Sequence, residues 1–371
     1  MKTTNKLRTI FGQIPDFRRS HKQLYDLESI LLIGIISVIC GAELWNEMED
    51  YACAKEEFLR TFLELPNGIP SHDTFNRVFS NINSNEFETC FIEWVSILAQ
   101  LNPKEIIAID GKTIRGAKSN GKKSPVHMVS AWANDNNVVL EQVKVSEKSN
   151  EITAIPKLLE VLSIEDTIVT IDAMGCQREI ATKIIDKKAD YILAVKENQA
   201  QLYQDLEDEF RFGKHILTHL SNELDHGRIE TRICSIITDF KFTEDNNKWK
   251  NLTTLIKIES TREFKNSDKS IEKATRYYIS SLYANPEDFQ KAIRSHWGIE
   301  NKLHWTLDVA FSEDASRKRV GNASQNFSIL NKIALNLLKN EKSSKVGVKS
   351  RRLKAGWDNH YLIKVLNLMK V

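Results

Sequence analysis

The sequence predicts an α/β protein in which a helical N-terminal domain precedes a mixed sheet. Three observations carry this. Apolar residues recur at helical spacing through the first hundred residues. From residue 104, short apolar runs alternate with helical stretches. A second strand-rich region, 225–283, then leads into a long helical pattern.

In the first region the spacing predicts a helix from about Leu24 to Ala42 and another from about Leu44 to Leu63. Pro66-Asn67-Gly68-Ile69-Pro70 is a turn, and Ser71 with Asp73 starts a helix that runs through Phe79. A further helix, Asn85 to Leu101, stops before Pro103, because the residue preceding a proline is pushed out of the α region.

The second region opens with Glu105–Asp110, an apolar run ending in Asp-Gly. Runs at Val126–Ala133 and Val138–Val145 flank Asn-Asp-Asn-Asn, the signature of a hairpin. Next come a helix at Ile152–Leu162, a buried strand at Thr167–Ile171, a helix at Arg178–Lys188 and a strand at Tyr191–Val195. Strands are expected again at Ile229–Ile237, Leu252–Ile258 and Arg276–Ser281, and a long helix begins near Pro286 and carries Ala292 to Leu307.

Composition narrows the class. The 371 residues are 41% hydrophobic and 27% charged, which excludes a collagen, a disulfide-stapled mini-protein and a largely disordered chain. The longest uncharged apolar run, Ser29–Ala42, is fourteen residues, too short to span a bilayer. Lys2, Lys6 and Arg8 lead into Gly12 and Pro15, so no signal peptide is expected. Five scattered cysteines, an odd count without a CxxC, read as reduced thiols, and the expected compartment is the cytoplasm.

The net charge of +2 conceals an uneven distribution. Residues 1–24 carry +5, residues 315–371 carry +11, and the stretch between carries −14. Basic ends on an acidic body suit a polyanion partner, since each cation placed on a phosphate releases a counterion. A solvated Lys-rich helix accounts for the same charges.

Asp110 and Asp172 each close an apolar strand run, a common place to present chemistry. Each also has a plain structural reading, as a turn residue or a helix cap. In the last helical stretch His296, Glu300, His304 and Asp308 recur at i+4, with Trp297, Asn301 and Trp305 beside them. Four ionisable groups on one stripe need partners or a metal. Zinc is one option, although HExxH and any Cys cluster are missing. An oxygen-rich set of three carboxylates suits Mg²⁺ better, and two such ions can serve phosphoryl transfer.

Several stretches together resemble insertion-sequence transposases of the DDE type, specifically the H-repeat-associated family. They are Pro15-Asp-Phe-Arg18, Gly68-Ile-Pro-Ser-His-Asp-Thr-Phe75, Ala108-Ile-Asp-Gly-Lys-Thr-Ile-Arg115 and Thr170-Ile-Asp-Ala-Met174. Asp190-Tyr-Ile-Leu-Ala-Val-Lys196, Arg294-Ser-His-Trp-Gly-Ile-Glu-Asn301, Leu303-His-Trp-Thr-Leu-Asp-Val309 and Glu313-Asp-Ala-Ser-Arg317 continue it over nearly the whole chain. The resemblance implies an RNase H-like catalytic core at 103–340 with a β-rich insertion at about 205–283. A helical DNA-binding domain at 1–102 would precede the core, and a basic tail at 341–371 would follow it. It makes Asp110, Asp172 and Glu300 the catalytic and metal-holding triad, with two Mg²⁺ ions, or Mn²⁺ as substitute. The 127 residues between Asp172 and Glu300 leave room for the insertion.

The implied reaction is metal-dependent cleavage at element ends, followed by attack of the freed 3′-hydroxyl on target DNA, with no covalent protein–DNA bond and no ATP. The implied partners are double-stranded DNA, as terminal inverted repeats and target, and a second copy of the chain on that DNA. Related cut-and-paste families carry a Tyr, an Arg and a Lys around the Glu, at intervals of two, three and six residues. Here the Arg position is His296 and the Lys position is Leu307. Candidates for holding DNA are therefore Lys112, Arg115, Lys196, Arg294, His296, Lys302, His304 and Arg317. Lys112 and Arg115 can equally be surface cations, and Trp297 and Trp305 can be core residues or platforms for an unpaired base. A silent DNA-binding relic and a nuclease that cuts without joining are the rival functions.

Overall fold

The computed structural model describes residues 2–19, 23–117, 126–145, 150–225, 228–240, 248–265 and 270–366. The helical first region comprises α1 (Lys2–Phe11), α2 (Leu27–Ile39), α3 (Trp45–Ala54), a single turn α4 (Glu56–Leu59), α5 (His72–Asn81) and α6 (Ser84–Leu98). Asp26 starts α2 by accepting the Ser29 N–H at 2.7 Å, a cap that satisfies one of the free amides of the first turn. Lys55 interrupts the helix expected from Leu44 to Leu63.

Among the described residues nine strands form one sheet: β1 (Ile106–Ile114), β2 (Val126–Ala133), β3 (Val138–Lys144), β4 (Ile168–Ile171), β5 (Asp190–Val195), β6 (Leu217–Asp225), β7 (Arg228–Ile237), β8 (Thr254–Phe264) and β9 (Glu272–Ser280). Their order is β3-β2-β1-β4-β5-β9-β8-β7-β6. β1, β4 and β5 are parallel, and β2 and β3 join through antiparallel ladders. The expected β-rich stretch continues the same sheet, with β9 antiparallel to β5 and the other three strands laid antiparallel beyond it. β6 and α9 (Ala200–Phe212) were not expected from the sequence.

Side chains alternate between two apolar layers, as the two-residue period of a strand requires. Val169 and Leu193 face a core shared with α7 (Glu151–Val161) and α8 (Arg178–Asp186). Ile168 and Ile192 face Phe289, Ala292 and Ile293 of α10 (Pro286–His296) on the other side. The long helix expected after Pro286 is broken: α10 ends at His296, residues Ile299–His304 form a π-helical turn, and α11 (Trp305–Phe311) follows.

α12 (Ala323–Asn340) is buried on nearly every side and joins the helical region to the sheet. Its Asn336 donates to the Val139 carbonyl and accepts from the Val139 N–H, both at 2.9 Å, pairing the backbone of one residue on the edge strand β3. Residues 341–366, read from the sequence as part of a basic tail, contain α13 (Val348–Trp357) and α14 (Asn359–Leu366), whose Tyr361, Leu362 and Val365 are buried in the main core. The last stretch of that tail, 367–371, lies outside the described residues. All five cysteines are free. Among the described residues no helix is long and apolar enough to cross a membrane.

Candidate active site

β1 and β4 run parallel, with Ile109 beside Ile171 in register. Asp110 and Asp172 are each the next residue along, so adjacent strands about 4.8 Å apart bring both carboxylates to one level. β1 does not turn at Asp110-Gly111: it runs on to Ile114, with Asp110 opposite Ser130 of β2. Asp172 ends its strand and caps a short 3₁₀ turn, Ala173–Gly175, accepting the Met174 N–H at 3.1 Å. The following helix, α8, starts separately at Gln177.

Burial pushes the Asp110 carboxyl up to about 7, and the charges of Asp172, Glu151 and Glu300 push in the same direction, against a hydrogen bond from the Gly111 N–H. Asp172 is likewise raised, by burial and then by Glu151, while the Gly175 and Met174 amides and Lys196 oppose the shift. Glu300 sits exposed in the π-helical turn.

The Glu-bearing segment is docked at two points. Thr170 of β4 meets His296 Nδ1 at 2.9 Å. Asn134, at the β2–β3 turn, donates to the Ser295 carbonyl at 2.7 Å and accepts from Trp132 Nε1 at 3.1 Å. Gly298 permits this approach, since a Cβ there would lie 2.2 Å from Asn134 Oδ1. The Trp305 N–H then bonds the Glu300 carbonyl five residues back, the π pattern.

Burial lowers His296 to about 4, and burial with the charges of Lys112 and Lys332 lowers His304 to about 3, so both rings are neutral at pH 7. His304 Nδ1 lies 3.5 Å from Asp110, and its Nε2 has no hydrogen-bond partner among the described residues.

The cations expected from the sequence fall into different settings. Lys112 is enclosed by Asp308, by Glu313 at 3.4 Å and by Asp314 at 3.3 Å. Arg115 is exposed and 3.6 Å from Asp314. Arg294 pairs with Glu223 of β6. Lys302 and Arg317 are exposed. Lys196 is exposed just past β5 and lines a cavity of about 560 Å³ together with Asp172, Asn198, Tyr203, Arg276 and Tyr277. At its rim the Arg276 guanidinium lies 5.3 Å from the Trp297 ring. Trp297 and Trp305 are 42% and 62% exposed, so neither is a core residue.

The family model described as "DDE_Tnp_1-associated" matches residues 8–95, and the one described as "Transposase DDE domain" matches residues 101–337. The chain belongs to the DDE transposase family. The transposase is 48% identical over 361 residues to "Putative transposase YncI" of Escherichia coli O157:H7, covering 95% of this chain and 92% of that one. To "H repeat-associated putative transposase YhhI" of Escherichia coli (strain K12) it is 41% identical over 378 residues, 97% of each. A solved piggyBac transposase synaptic complex with hairpin DNA aligns at a TM-score of 0.48 and 11% identity, covering 100% of this chain and 80% of that one.

The family uses divalent metal ions, and the donor set fits one. Asp172, Glu151 and Glu300 bear on a half-buried Asp110, and an all-carboxylate donor set of this kind has the chemistry of a hard cation's ligands. Among the described residues no three His, Cys, Asp or Glu side chains are drawn close enough together to grip an ion. Carboxylates brought together without a cation repel one another. Glu151, whose charge bears on both Asp110 and Asp172, is a residue that sequence reasoning did not single out. It stands in the first turn of α7, where an acidic residue is ordinarily read as favouring the helix start.

Proposed function

We propose that this transposase cuts phosphodiester bonds at the ends of an insertion element and joins the freed 3′-hydroxyl to target DNA, with Asp110, Asp172 and Glu300 as its catalytic carboxylates. The observation that carries this is the β1–β4 register, which sets Asp110 beside Asp172, with the Glu300 segment docked onto the same strands through His296 and Asn134. The order β3-β2-β1-β4-β5, with β2 alone reversed, supports an RNase H-like core within 103–340, and β6–β9 suit an insertion at about 205–283.

Asp110, Asp172 and Glu300 would hold Mg²⁺ or Mn²⁺, as two ions, which would activate an attacking oxygen and offset charge on the leaving one. The carboxylates orient that site. Neutral His304 lies against Asp110 without adding a second positive charge. Arg115, Lys196, Arg294, Lys302 and Arg317 are the cations we assign to DNA phosphates. Lys112, already met by three carboxylates, holds the segment after α11 in place. Residues 1–102 would engage terminal inverted repeats, and two copies would assemble on DNA to bring two ends together.

The test is a labelled duplex of the flanking element end, incubated with Mg²⁺ or Mn²⁺ and with Asp110→Ala and Glu300→Ala in parallel. Nicking at the element boundary, lost in both variants while DNA binding persists, is the expected result. Cleavage that survives both substitutions would refute the assignment. Cutting without joining would point to a nuclease, and binding without cutting to a silent relic.

A further inference from the structure

We propose that Glu151 is a fourth carboxylate of the metal site and that His127, itself held by Thr113, is the positioning residue that aims it. This rests on the metal-dependent reading above.

Thr113 and His127 face each other across the β1–β2 ladder. His127 Nδ1 lies 2.8 Å from Thr113 Oγ1, and its Nε2 lies 2.7 Å from Glu151 Oε1. With Glu151 ionised, the imidazole donates from Nε2 to the carboxylate, and its Nδ1 accepts from the Thr113 hydroxyl. A hydroxyl, an imidazole and a carboxylate thus form a chain that ends over the backbone next to Asp110.

Gly111 marks where it ends. A Cβ at that residue would lie 2.1 Å from Glu151 Oε1 and 2.6 Å from its Cδ. The carboxylate therefore occupies the space a side chain would fill, directly after the first catalytic Asp. From there its charge acts on both Asp110 and Asp172. A glutamate serving only to start α7 needs neither a fixed rotamer nor a glycine cleared beneath it. Histidine contacts that orient ligating carboxylates commonly change metal affinity by tenfold or more when removed.

The experiment uses the full chain without DNA, with Mn²⁺ binding followed by electron paramagnetic resonance and by the rise in Tm on adding Mn²⁺. Glu151→Gln is expected to weaken Mn²⁺ binding about tenfold or more while leaving the metal-free Tm within a few degrees of the parent. His127→Ala should weaken it similarly, and His127→Gln, which keeps an N–H donor, should recover part of the loss. Fe²⁺-directed backbone cleavage of the unmodified chain supplies a readout independent of any variant, with cuts expected around both residues 110–112 and 150–152. Parent-like Mn²⁺ binding in Glu151→Gln, with binding lost in Asp110→Asn, would overturn the role of Glu151 and leave the triad standing. An absence of iron cuts at 150–152 alongside cuts at 110–112 would do the same. Parent-like binding in Asp110→Asn and Asp172→Asn as well would instead sink the metal reading on which this one rests.

Discussion

Replacing Lys112 with methionine separates a structural cation from a DNA contact. The Lys112 side chain is 11% exposed, and Glu313, one of its three partners, is 3% exposed. Burial works against the Lys112 charge, but Glu313, Asp308 and Asp314 outweigh it and raise its pKa above the ordinary lysine value. Burial likewise works against the Glu313 charge, yet Lys332, Lys112 and Ser328 hold its carboxyl below the usual range. Removing one partner of a buried pair costs about 3–5 kcal/mol. Glu313 keeps Lys332 and the Ser328 hydroxyl at 3.0 Å, which places Lys112→Met near the lower end, about 3 kcal/mol. At about 2.1 cal/mol/K per residue, the 371 residues give an unfolding entropy near 0.8 kcal/mol/K, so Tm should fall by about 4 °C. A depressed carboxylate contributes stability that is present above its unfolded pKa and lost as pH falls through its folded one. The deficit should therefore be largest near neutral pH and shrink on acidification. Calorimetry at two pH values reads this. The reasoning fails if Tm does not move and the salt dependence of DNA binding instead weakens by one counterion.

Glu88 and Glu141 are both pushed well above the ordinary 4.5 by burial, and Glu141 further by the charge of Glu88. Raised carboxyls contribute stability that is full below the unfolded pKa and lost as pH rises through the folded values, so Glu141→Gln should raise Tm more at pH 8 than at pH 5. Gly298→Ala sets a Cβ against an Asn134 that is tied to Trp132 and Ser295, and should cost about 1–3 kcal/mol with nicking reduced beyond that loss. Restoring space with Asn134→Ala in the same chain should return part of the stability, as read by denaturant unfolding. Lys196→Ala should weaken binding to DNA of any sequence and lower the slope of log K against log salt by about one, measured by fluorescence anisotropy.

The strands that build the site were legible because they are buried on both faces. Ile106–Ile109 and Ile168–Ile171 read as unbroken apolar runs, and each is followed by an aspartate of the proposed site. β6 was not legible: it is an edge strand whose Leu217, Leu220 and Leu224 are exposed among polar residues, so no burial pattern marks it. α9 did carry a signal, since Leu202, Leu206 and Phe210 are buried at intervals of four. Charge counting overstated the basic C-terminal surface. Lys318, Lys332 and Arg352 are buried, with Lys318 donating to the Glu43 carbonyl and Arg352 to the carbonyls of Val38, Ala42 and Ala310. Glu151 was hidden for a different reason: its importance depends on Gly111 and His127, which are brought to it only by the sheet.

The three carboxylates we propose as catalytic are held by unlike means. Asp110 and Asp172 are placed by a backbone ladder between two parallel strands inside a nine-stranded sheet, which side-chain changes nearby leave intact. Glu300 is placed by a π turn, the spacing of which depends on its docking at both ends. At one end are Thr170 and Asn134, and at the other are His304 against Asp110 and Asp308 on Lys112. A strict i+4 helix would have set His296, Glu300 and His304 on one stripe. The wider π turn instead leaves Glu300 exposed while His304 is buried against β1.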